Sequence, residues 1–173
     1  MEDNKNTPEY LQKKLYFLLD QLKSMHEELP EKYQMRIPYE LLTLLANTLL
    51  NETLYEIVKG LMEIQHVTEK HLQQLRDQVE TEYQMEVKEW MNKIHDPDEL
   101  DHIFALTKIK HTNNLRDTDK RIIAHIDQKV VDQQSTLEKA GVPGFYITEN
   151  PKEVKIQMHL LDFILRLSRV KYP

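Results

Sequence analysis

The sequence predicts an all-α protein, and three observations carry that prediction. Glycine is nearly absent, with three in 173 residues, while helix-favouring Leu, Glu, Gln, Lys and Met are abundant. Apolar residues recur at spacings of three and four along most of the chain. Prolines fall where these runs start or stop, three of them directly after Thr7, Asp96 and Asn150. The architecture that follows is a long antiparallel helical hairpin, a coiled-coil stalk, projecting from a small bundle of N- and C-terminal helices. A single domain over 1–173 is expected.

Residues 1–6, MEDNKN, are polar and are expected to fray. Thr7, Pro8 and Glu9 then supply an N-cap, a first-turn proline and a first-turn acid. Leu11, Leu15, Leu18, Leu22 and Met25 share one face of a helix over about 8–28, which Pro30 closes. Pro30 and Pro38 bracket a connector with room for one helical turn. A second helix starts near Pro38 and carries Leu41, Leu42, Leu44, Leu45, Leu49 and Leu50. That spread exceeds one stripe, so burial on two sides is expected. These elements form an N-terminal segment, 8–50.

Thr53 and Glu56 have the spacing of a capping box. Leu61, Leu72, Leu75, Val79, Tyr83, Val87 and Trp90 then mark one proline-free helix of about forty residues, roughly 60 Å long at 1.5 Å per residue. Asp96 and Pro97 cap and open the next helix, so the chain turns near 95–98. That helix runs through Ile109, Leu115, Ile122, Val130 and Leu137 to Gly141, a C′ glycine, with Pro143 blocking resumption. Thr53 and Gly141 are equally far from Pro97, so the hairpin over 53–141 closes with its ends level. Gly144 allows a tight reversal before Phe145, Tyr146 and Ile147, a short extended segment with core-sized side chains. Asn150 and Pro151 begin the last helix, which completes the C-terminal segment 145–170.

The hairpin seam is thin in one place. KHTNNLRDTDKR, residues 110–121, offers Leu115 as its only aliphatic side chain, opposite the apolar Leu72, Leu75 and Val79. Either the seam is locally wet, with Asn113 or Asn114 fixing register, or the Leu72–Val79 stripe packs on another chain. Leu72, Leu75 and Val79 are therefore candidate protein-contact residues. Phe145, Tyr146 and Ile147 are a second candidate set, with the competing reading that they plug the chain's own bundle. Self-association through apolar helix faces, favouring a dimer, is expected.

Chemistry is sparse. With no cysteine there is neither a disulfide nor a thiolate metal site, and three glycines cannot build a phosphate loop. Ser24, Ser135 and Ser168 all fall inside expected helices, away from any nucleophile elbow. His66 and His71 are five apart rather than four, and His95, Asp98, Asp101 and His102 near the turn read as a solvated capping turn. The basic residues Lys108, Lys110, Arg116, Lys120 and Arg121 are interrupted by Asp117 and Asp119 without interleaved aromatics, and the net charge is −6. Nucleic acid is therefore disfavoured as a partner. The apolar run Leu41–Leu50 is too short to cross a bilayer, and no secretory leader is seen. No catalytic residue, cofactor or metal ligand is assigned, and an intracellular protein of nucleus or cytoplasm is expected.

Two stretches carry a resemblance. LYEIVKGLMEIQHVTEKHL, residues 54–72, and DQKVVDQQSTLEKAGVPGFYITENPKEVKIQMHLLDFI, residues 127–164, resemble the gonadal protein family, which takes in the vertebrate DiGeorge-syndrome critical-region proteins. ELPEKYQMRIPYELLTLLANTLL is similar more loosely, so the likeness spans about 28–167 and is weakest over 80–115. The resemblance implies a non-enzymatic protein tied to gonadal or germ-line expression and development, with vertebrate relatives associated with neural-crest migration and the nucleus. It transfers no active-site residue. The combined expectation is a helical protein–protein interaction module, an adaptor or scaffold subunit. A nuclear nucleic-acid-associated factor and a metal-binding enzyme are the alternatives.

Overall fold

A computed structural model describes residues 7–173, and the expected fraying of residues 1–6 lies outside them. Among the described residues there are six helices and no strand: α1 (Pro8–Glu27), α2 (Glu31–Gln34), α3 (Tyr39–Thr48), α4 (Thr53–Lys93), α5 (Pro97–Lys139) and α6 (Pro151–Ser168). The all-α expectation holds.

Helix ends follow the capping logic with one change. Thr7 accepts from the Tyr10 N–H at 3.2 Å, Asp96 from Glu99 at 3.2 Å and Asn150 from Lys152 at 3.0 Å. In each case a proline occupies the next, first helical position, where its missing N–H leaves no donor unpaired. At the start of α4 the capping side chain is Asn51, where the sequence suggests a box between Thr53 and Glu56. Thr53 is already helical, and its N–H donates to Asn51 Oδ1 at 3.1 Å in an Asx turn. Glu56 lies 3.8 Å from Lys59 instead.

The C-terminus of α5 closes as a Schellman motif. The Val142 N–H donates to the Leu137 carbonyl and the Gly141 N–H to the Glu138 carbonyl, both at 3.0 Å. Gly141 has φ +80°, and the flanking Leu137 and Val142 are both buried. Gly144 also has positive φ, +87°, and a Cβ there would meet Leu160 Cδ1 at 2.7 Å. The two glycines of the turn therefore have different reasons to be glycine: backbone conformation alone at Gly141, conformation and close approach at Gly144.

The described residues group into two compact units. One comprises residues through Glu63 together with Val131–Pro173. Its core joins Leu18, Leu22 and Met25 of α1 to Leu42 and Leu45 of α3, Leu54 and Val58 of α4, Leu137, and Leu160, Phe163 and Ile164 of α6. Leu44 stands 56% exposed, so α3 is less enclosed than its leucine content suggests. Lys14 buries its stem and places its ammonium 2.8 Å from Glu52. Arg166 on α6 reaches Glu28 at 3.2 Å, and Tyr172 packs against Tyr10 and Phe17.

The other unit is Ile64–Val130, where the long helices α4 and α5 pack as a pair. Arg76 contacts Asp119 at 3.1 Å and Glu86 contacts Lys110 at 3.4 Å. Numbering rises along one helix as it falls along the other, so the pair is antiparallel.

Three glycine-to-alanine variants separate these roles. Gly60 lies inside α4, where an added Cβ would meet nothing within 4 Å. Gly60→Ala should therefore raise the unfolding free energy by about 0.5–1 kcal/mol. Gly141→Ala should lower it by about 1–2 kcal/mol through the left-handed backbone alone, and Gly144→Ala by more. Urea unfolding of the three proteins checks the order, and equal effects at Gly141 and Gly144 would contradict it.

Candidate interaction surfaces

Residues 145–150 form a strap that is neither helix nor strand, so its backbone needs hydrogen-bond partners outside regular secondary structure. Two buried side chains provide them. Gln134 of α5 acts on Thr148 twice, accepting from its N–H at 3.3 Å and donating to its carbonyl at 3.2 Å. Gln157 of α6 donates to the Tyr146 carbonyl at 3.0 Å and to the Gly144 carbonyl at 3.4 Å. The two amides are joined, Gln134 Nε2 donating to Gln157 Oε1 at 2.9 Å. Both glutamines are 5% exposed or less. At the far end, the Thr148 hydroxyl donates to Glu153 at 2.6 Å and accepts from the Asn150 N–H at 3.2 Å.

This arrangement sorts the three strap side chains. Phe145 is 5% exposed and belongs to the unit's own core, whereas Tyr146 and Ile147 are 43% and 55% exposed. Desolvation, and then Glu153 beside it, push the Tyr146 phenol above its ordinary pKa. Sequence reasoning missed Gln134 and Gln157. Their signal was present: each interrupts an otherwise apolar row, Val130–Gln134–Leu137 on α5 and Gln157–Leu160–Ile164 on α6.

In the long-helix unit, Leu72 is 6% exposed and Leu75 and Val79 are half-buried, so these side chains lie in the seam. The seam owes much of its filling on the α5 side to polar residues. Thr107 is buried, its hydroxyl donating to the Ile103 carbonyl at 2.8 Å. The His111 ring stacks on Tyr83 with centroids 4.2 Å apart, and its Nε2 lies 3.2 Å from Glu80. The remaining ring nitrogen, Nδ1, is buried without a partner. Val79, Tyr83, Glu86, Lys110, His111 and Asn114 line a small cleft of about 90 Å³. Within 110–121, then, Lys110, His111 and Asn114 line this cleft, His111 half-buried and the other two exposed, while Asn113, Arg116 and Lys120 are exposed away from it.

Among the described residues no three His, Asp or Glu side chains converge as a metal-binding group, the turn at 95–102 included. No helix among them is long and apolar enough to cross a membrane. One further titratable group stands out in the compact core unit. The His159 ring of α6 packs against Tyr33 at a tilt of 51°, with centroids 4.7 Å apart, and its Nε2 is enclosed without a partner. Burial holds its pKa below the ordinary value, Lys155 adds to that depression and Asp162 opposes it.

Comparison with known proteins places the chain. The sequence model described as "DiGeorge syndrome critical region 6 (DGCR6) protein" matches residues 1–173. Gonadal protein gdl of Drosophila melanogaster is 63% identical over 172 residues, covering 99% of this chain and 89% of the relative. Protein DGCR6 of Gallus gallus is 39% identical over 171 residues, covering 91% of this chain and 86% of that protein. No solved structure matches.

Two measurements probe the strap and the histidine. Gln157→Met keeps the volume and removes the amide, leaving the Tyr146 carbonyl and Gln134 without their partner. It should lower the unfolding free energy by about 1–3 kcal/mol, and a urea midpoint equal to the parent's would refute that role. For His159, the unfolded ring titrates near 6.5 and the folded ring below it. Between those values the unfolded state binds more protons, so stability falls as pH drops through 6.5 and levels off below the folded pKa. His159→Gln should flatten that part of the melting temperature–pH curve; an unaltered slope would show that His159 does not produce it.

Proposed function

The chain belongs to the DiGeorge syndrome critical region 6 protein family, and we propose that it serves as a non-enzymatic protein–protein interaction module, an adaptor or scaffold subunit. The observation that carries this reading is the strap. Buried amides hold its backbone, Phe145 anchors it in the core, and Tyr146 and Ile147 are left facing solvent. Apolar side chains on an already ordered segment can enter a partner without the entropy loss of ordering a loop. An aromatic anchor beside an aliphatic one is the composition of a binding hot spot.

The long helices complete the reading. α4 and α5 act as a coiled-coil hairpin within their unit, with a seam mixed between apolar and polar layers that fixes register at some cost in stability. The expected dimer fits a module of this kind. The name of the fly relative, a gonadal protein, supports a germ-line setting; a developmental role in nucleus or cytoplasm is part of the same proposal.

Tyr146→Ser combined with Ile147→Ser tests the strap. Neither side chain belongs to the buried core, Tyr146 being 43% and Ile147 55% exposed, so the melting temperature should change far less than the set of proteins co-purifying with the tagged parent, which should be lost. An unchanged set of co-purifying proteins, identified by mass spectrometry, would refute the strap as the contact surface.

A further inference from the structure

Helix α5 carries two lengthwise stripes, and α4 covers only one. The inner stripe, Thr107, His111, Leu115, Thr118 and Ile122, is buried or half-buried. The outer one runs from His102 to Asp127 in alternating steps of four and three. Its apolar members Leu106, Ile109 and Ile123 are 54%, 59% and 58% exposed.

Polar pairing separates the two faces as well. Arg76–Asp119, Lys110–Glu86 and His111–Glu80 join α5 to α4. On the outer stripe Asn113, Arg116, Lys120 and Asp127 make no side-chain hydrogen bond or ion pair among the described residues. A stripe with coiled-coil spacing, exposed aliphatics and unmatched charges has the form of a helix-pairing surface.

We propose that this stripe pairs with the same stripe of a second copy of the chain, antiparallel about a two-fold axis. The proposal rests on reading the protein as an interaction module and names one of its partners. The self-complementarity is specific. With one α5 reversed against the other, Leu106 meets Ile123, Ile109 meets the aliphatic stem of Lys120, Asn113 meets Arg116 and His102 meets Asp127. Each of these layers joins an a position to a d position, as antiparallel coiled coils require. The two-fold repeats every layer, giving an isologous interface.

Other arrangements of the same stripe fit worse. Parallel pairing in register stacks Arg116 on Arg116, Lys120 on Lys120 and Asp127 on Asp127, all like charges. An antiparallel slip of one heptad puts Leu106 against Arg116, or Arg116 against Lys120. Ala105 and Ala124 flank the stripe and let the two helix axes approach. The flanks agree in charge as well, since Lys110 comes beside Asp117 of the second copy, where it can bridge to both Asp117 and Glu86.

The chain contains no cysteine, so introduced thiols report the register directly. Leu106→Cys and Ile123→Cys are made separately in the full-length chain and treated with a short bis-maleimide, each alone and mixed. The mixture should give a covalent dimer and either variant alone only monomer. Sedimentation velocity of the unaltered chain should show mass rising with concentration toward a dimer, and Leu106→Asp with Ile123→Asp should abolish the rise. A chain monomeric at every concentration overturns the proposal. A dimer that cross-links from Leu106→Cys alone, or not at all from the mixture, also overturns it but leaves the interaction-module reading standing. That reading fails separately, on the strap variant.

Discussion

A segment outside helix and strand must find other groups for its backbone hydrogen bonds, and here the Gln134–Gln157 amide pair supplies them. A glutamine amide presents one donor group and one acceptor, the same complement as a peptide unit. Gln134 uses both on Thr148, as a partner strand would. The pair also ties the end of α5 to the first turns of α6. Everything the strap displays follows from that tie. Phe145 enters the core, so Tyr146 and Ile147 face outward, and Gly144 must lie against Leu160 with no room for a Cβ.

The helix pair obeys a different constraint. Its seam is built from Leu72, Leu75, Val79 and Tyr83 on α4 but from Thr107, His111 and Thr118 among others on α5. Burying threonine and histidine gives less stabilisation than burying leucine, and the stacking of His111 on Tyr83 recovers part of that difference. A polar layer in exchange restricts which register the two helices can adopt. The same helix then carries aliphatic residues on its outer face, where no part of its own unit covers them.

Most of the helical plan was legible because it is written in local chemistry. Proline after a Thr, Asp or Asn cap fixes where α1, α5 and α6 begin, and a glycine with a proline two residues on fixes where α5 ends. The start of α4 was legible only to within two residues, since Asn51 and Thr53 are both competent caps and only tertiary placement selects between them. The glutamine pair was hidden for a physical reason: Gln134 and Gln157 are far apart in sequence, and an amide reads as surface unless its apolar row is noticed. His111 and Tyr83 were hidden likewise, because stacking depends on the angle at which two helices meet. Tyr146 and Ile147 could be named in advance as apolar and near a turn. That one neighbour plugs the core while the other two stay outside depends on the strap's hydrogen bonds, which the sequence does not display.

Amide hydrogen exchange across residues 144–150 is the most direct test of the amide-supported strap. The Thr148 N–H, held by Gln134 inside the core unit, should exchange nearly as slowly as the helical core amide of Phe163, while the Ile147 N–H exchanges quickly. Rapid exchange at Thr148, matching its neighbours along the strap, would contradict the account.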